Sequence, residues 1–120
     1  MDSFADVGSR GREAVAAVDL VTGAVVGTAR FVRDDDDPLS AEVAFEVVDD
    51  CQRHGVGRRL VTELSALARR EGIERFRAAV VPGNESAFAL LHRVGRVVKS
   101  SFADGAHQLV IELDPLPRSA

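Results

Sequence analysis

Apolar and polar positions alternate through residues 13–19 and again through 25–33, the pattern of strands with one buried face. Thr22-Gly23 supplies turn chemistry between them, so the two runs are predicted to pair as a hairpin. "SAEVAFEVVDD" thickens into a third, more apolar strand over residues 41–48. Beyond Gly57 the period changes. Leu60, Val61, Leu64, Leu67 and Ala68 recur at helical spacing opposite Arg59, Thr62, Glu63, Arg69 and Arg70, and Gly72 marks the stop. "ERFRAAVVP" reads as a further central strand, with Phe76, Ala78 and Val80 on one face and Pro82 at its end. Asn84 fits the N-cap of a short helix over 85–94 that turns Ala87, Phe88 and Leu91 to the core and ends at Gly95. "RVVKSSFADGAHQLVIELD" closes the chain as a hairpin around Asp104-Gly105. The order is β-β-β-α-β-α-β-β, an α+β (mixed α/β) fold with a mixed sheet. Its central βαβ unit is expected to have parallel strands and a right-handed crossover, and ligands favour the carboxyl ends of such strands.

Length and composition narrow the picture. The 120 residues make one domain, 1–120, without repeats or low-complexity segments. Hydrophobic content of 46% with 28% charged residues is that of a globular protein, and no apolar run approaches the roughly 20 residues of a bilayer span, so no membrane role is expected. The N-terminal dozen residues lack the order of a secretory signal, which points to the cytoplasm. Cys51 is the single cysteine, which excludes an intrachain disulfide and a cysteine zinc cluster, and no metal is expected. A net charge of -4 argues against nucleic acid as a partner. "DDDDP" at 34–38 reads as a solvated loop.

"CQRHGVGRRL" joins the third strand to the first helix and sets Gly55 and Gly57 among Arg53, His54, Arg58 and Arg59. Amides at a helix start lack intrahelical partners and sit at the positive end of the dipole, so a loop wrapped there suits phosphate oxygens. The spacing is neither GxxxxGK[ST] nor GxGxxG. As QxxGxG after a strand and before an amphipathic helix, it resembles the acetyl-CoA pyrophosphate loop of the GNAT superfamily of N-acetyltransferases. "NESAFALLHRVG" resembles that family's NxxAxxLYxxxG segment, and "AEVAFEVVDDCQRHGVGRRL" is similar to bacterial lysine acetyltransferase domains. The resemblance covers about residues 13–114 and implies a GNAT-like fold truncated at the N-terminus, without the family's usual first strand and two helices.

It also implies a site. Two parallel strands would splay at their carboxyl ends. Pantetheine would pair with backbone at Val47 and Val48, pyrophosphate would sit on the loop formed by Gln52, Arg53, His54, Gly55, Val56, Gly57 and Arg58, and Asn84 and Ala87 would flank the pantetheine arm. A plain tight turn and a plain helix cap are the alternative for the glycines and Asn84. Amine acetylation needs a base, because an alkylammonium with a pKa near 10.4 is charged at neutral pH. Glu42 and Glu46 share a strand face. The resemblance makes Glu42 the base with Glu46 in reserve; solvated strand glutamates are the alternative. A backbone N–H near Val47 would polarise the carbonyl. The family's tyrosine acid falls on Leu91, and the chain has no tyrosine; His92 is adjacent but points off that face. The expected function is acetyl-CoA-dependent transfer to a primary amine, of a protein lysine or a small molecule, in a homodimer. A non-catalytic CoA-binding module is the rival, and an unrelated phosphate-binding α/β module a third.

Overall fold

The computed structural model describes residues 2–9, 11–47 and 55–115. In chain order these form β1 (Asp2–Ser9), β2 (Arg12–Asp19), β3 (Val25–Arg33), β4 (Ser40–Val47), α1 (Val56–Arg70), β5 (Arg75–Val80), α2 (Glu85–Val94), β6 (Gly95–Ala103) and β7 (Ala106–Leu113). The strands make one seven-stranded sheet in the order β1-β2-β3-β4-β5-β7-β6. All neighbours are antiparallel except β4 and β5, the parallel pair bridged by α1.

The sequence implies six strands, and the structure adds β1, which pairs antiparallel with β2 from Asp2↔Asp19 to Ser9↔Arg12. Phe4 and Val7 stand three apart, an odd interval that breaks the period of two, so the segment carries no strand signal. The resemblance leaves out the family's first strand as well as its two helices. The strand is present. Only two positions separate β1 from β2, so neither helix lies between them.

Buried apolar side chains alternate along the strands and belong to one cluster beneath the helices. Val15, Ala17, Ala29, Phe31, Phe76 and Ile111 meet Leu60, Leu64 and Ala68 of α1 and Leu91 and Val94 of α2. Phe31 and Phe76 pack at a ring separation of 6.1 Å in the middle of it. Both helices therefore cover the same face. On the other face Arg30, Glu42, Ala44, Glu46, Arg77 and Ala79 are exposed.

The glycine after α2 has a different role from the one its position implies. Gly95 has φ 177, an extended conformation, and the helix runs directly into β6. A Cβ there would meet the Glu112 carbonyl oxygen at 2.1 Å, so glycine is needed for the close approach of β7. The aspartate run also departs from a freely solvated loop. Asp34 accepts two hydrogen bonds from Arg77, at 2.8 and 2.6 Å, and Asp37 pairs with Arg75 at 3.2 Å, which fastens the loop before β4 to β5.

Candidate functional site

The parallel pair is joined by only three register partners, Ser40↔Arg75, Ala41↔Phe76 and Glu42↔Arg77. Beyond them β4 continues to Val47 along β3, while β5 continues to Val80 along β7. The two strands part, and the sheet opens at their carboxyl ends as the resemblance implies.

Two clefts meet at this opening. The first, about 610 Å³, lies at the start of α1 and along α2 and is lined by Phe45, Glu46, Val47, Gly55, Gly57, Arg58, Asn84, Ala87, Leu90 and Arg93, among others. The second, about 430 Å³, includes Glu42, Phe45, Arg77, Asn84, Ala87, Lys99, Ser101 and Gln108. Phe45, Asn84 and Ala87 line both, so the gap connects one side of the sheet with the other.

Gly55 precedes α1 with φ 76 and ψ 9, a left-handed conformation that favours glycine. Among the described residues no side chain caps the helix and its first turn holds no acidic residue, so the positive end of its dipole lies at the first cleft, which Gly55, Gly57 and Arg58 line. Gly57 answers a packing need: a Cβ there would lie 3.0 Å from Leu90 and 3.3 Å from Val47. Asn84 Oδ1 accepts from Ala87 N at 3.2 Å, so the predicted cap is formed, and the same side chain borders both clefts.

The predicted residues gather unevenly. Glu46, Val47, Gly55, Gly57, Arg58, Asn84 and Ala87 come together at the first cleft. The Val56 side chain is buried in the core, so only its main chain can face a ligand. Val48, Gln52, Arg53 and His54 lie outside the described residues. Glu42 stands apart from Glu46 and lines the second cleft. Its side chain is 69% exposed, and its carboxylate lies 3.6 Å from Arg77 Nη2. The same guanidinium, through its hydrogen bonds to Asp34, holds that carboxyl below the usual aspartate range, and Asp34 in turn raises Arg77.

Leu91, where the motif has tyrosine, is 1% exposed and part of the core. His92 is exposed in the last turn of α2. The sequence reading passes over Phe45, Leu90 and Arg93 in the first cleft and Arg77, Lys99 and Gln108 in the second. For α2 a signal was present: Ser86, Leu90 and Arg93 fall at i, i+4 and i+7, one face of the helix. The residues from β6 and β7 reach the site only through strand pairing, which no local pattern shows.

A splayed parallel pair, a helix start with a left-handed glycine at the opening and two adjoining clefts are features suited to an extended, phosphate-bearing ligand. The family model described as "Acetyltransferase (GNAT) family" matches residues 3–95, and the chain belongs to that family. Enzymes of this family use acetyl-CoA as co-substrate. Acetyltransferase Pat of Mycolicibacterium smegmatis is 40% identical over 75 residues, 62% of this chain. The chain spans 22% of that relative's length. The crystal structure of the GNAT domain of S. lividans PAT is 33% identical with a TM-score of 0.74, over 87% of this chain and 62% of that one. A cAMP-binding acyltransferase from Mycobacterium smegmatis is 28% identical with a TM-score of 0.75, over 91% of this chain and 33% of that one.

Proposed function

We propose that this domain transfers acetyl from acetyl-CoA to a primary amine, of a protein lysine or a small molecule, by direct attack. The observation that carries this reading is the passage between β4 and β5, where two clefts share Phe45, Asn84 and Ala87. The cofactor enters from the first cleft and the acceptor from the second. Pyrophosphate rests on the α1 amides beside Arg58, with Arg93 adding charge from α2. Pantetheine follows the β4 edge past Glu42 as an added strand.

Glu42 lines the acceptor cleft and Glu46 the cofactor cleft, which favours Glu42 as base. Its carboxylate takes a proton from the ammonium. The neutral nitrogen attacks the thioester carbon, the C–N bond forms, the C–S bond breaks, and the second proton leaves the acylated nitrogen to water, which returns one to the departing sulfur. The thiolate takes its proton from water, since no tyrosine is available. General bases contribute roughly 10² to 10⁴ in rate. A thiol-release assay over amines and lysine peptides should therefore show Glu42→Gln losing about 10²-fold or more in kcat while Glu46→Gln stays near the parent. An equal loss in both variants overturns the assignment.

A second reading, a CoA-binding module without turnover, draws on the burial of Leu91 at the tyrosine position. Calorimetric binding of acetyl-CoA with no thiol release on any acceptor, unchanged in Glu42→Gln, would favour it. We also propose a cytoplasmic homodimer that covers the bare sheet face, with neither nucleic acid nor membrane as partner; no helix among the described residues is long and apolar enough to cross a bilayer. Light scattering on the eluting protein tests the dimer, and a monomer mass at micromolar concentration removes it.

A further inference from the structure

Glu42, Arg77, Val110 and Lys99 stand in one row across the open face, each the register partner of the next through β4, β5, β7 and β6. Lys99 reaches this row through an irregularity. The pairing of β6 with β7 slips between Val97 and Lys99. Val97 is opposite Ile111 and packs against the core, and strand side chains alternate with period two, so an unbroken β6 would send Lys99 to that same face. The slip sets Lys99 opposite Val110 and Ser101 opposite Gln108 instead, and all four line the second cleft. Bulges recur beside active sites because they re-aim a side chain in this way.

Charge gives a second, independent observation. Arg75 pairs with Asp37, Arg96 with Glu112, and Arg77 with both Asp34 and Glu42. No carboxylate among the described residues lies within ion-pair distance of the Lys99 ammonium. The acceptor cleft thus holds a cation left for a ligand, across the sheet from the carboxylate that would receive the amine.

We propose that Lys99 binds a carboxylate on a small acceptor whose amine lies at Glu42. The proposal rests on reading the second cleft as the acceptor site. Three strand steps of about 4.8 Å put the two Cα atoms about 14 Å apart, so the acceptor carries amine and carboxylate at opposite ends of a chain of several bonds. Ser101 and Gln108, one row nearer the opening, supply neutral polar groups beside it.

The test compares 6-aminohexanoate with pentylamine, its carboxylate-free counterpart, as acceptors for the full chain with acetyl-CoA. The parent should prefer 6-aminohexanoate by about tenfold in kcat/KM, the scale of one charge-assisted hydrogen bond. Lys99→Gln should erase that preference by raising KM for 6-aminohexanoate alone, and Lys99→Arg should keep it. Equal use of both amines by the parent overturns the proposal, as does an equal loss for both in Lys99→Gln. So does Lys99-dependent acetylation of an acidic lysine peptide when 6-aminohexanoate is ignored. Calorimetric titration of 6-acetamidohexanoate into the CoA-loaded protein separates the proposal from the activity it rests on. Binding that needs Lys99, with no turnover of any amine, retains the anion site and removes the enzyme; turnover without carboxylate preference does the reverse.

Discussion

Gly95 shows how much one hydrogen atom can carry. A methyl group in its place would drive into the Glu112 carbonyl at 2.1 Å, and that carbonyl belongs to the backbone of β7, which cannot swing aside as a side chain can. Gly95→Ala should cost about 3 kcal/mol in urea unfolding with an unchanged slope, the upper range for overpacking. Gly57→Ala meets only the ends of Leu90 and Val47, so it should cost about 1 kcal/mol and act mainly by narrowing the first cleft. Both glycines stood out in the sequence, but their reasons did not. The sequence suggested a helix stop and a ligand loop, and the structure adds close packing at both positions, which stayed hidden because a glycine marks a missing side chain and not the neighbour that excludes it. The Asn84 cap was legible: it depends on residues three apart, a distance the sequence itself displays.

At the scale of elements, the loop before β4 is held by charge. Arg77 and Asp34 share two hydrogen bonds, and the Asp34 side chain is only 14% exposed. Asp34→Asn should lower stability at neutral pH by about 1 kcal/mol, near the upper end for a partly exposed pair. The folded-state pKa of Asp34 lies below its ordinary value of 3.8, so this contribution is fully present above pH 3.8 and is lost as pH falls through the folded value. Melting curves of parent and variant taken into acid should therefore converge. The start of α1 carries the opposite charge. Arg58→Ala and Arg93→Ala should each raise KM for acetyl-CoA by about fivefold, and the penalty should shrink as added salt screens the phosphates. Arg58 lay inside a motif and could be picked out from the sequence, while Arg93 took its meaning only from the face of α2 that meets the first cleft.

Across the whole molecule, the elements encoded by local pattern were legible, from the β2–β3 hairpin to the cap and end of α2. What stayed hidden was whatever depends on partners distant in the chain. β1 has no strand pattern of its own and is defined by the eight partners it finds on β2. Lys99 belongs to the second cleft only because β6 slips against β7. Glu42 and Glu46 line different clefts because the sheet opens between them, and their shared face gave no hint of it.

The three rungs between β4 and β5 have a mechanical consequence. Most neighbouring strands are laced along six to eight residues, so the midline is where the least main-chain bonding ties one half of the sheet to the other. A cofactor lying in that breach would act as a splint. The β1–β4 and β5–β7 blocks should then exchange their amide hydrogens as separate units in the bare protein and as one when acetyl-CoA is bound.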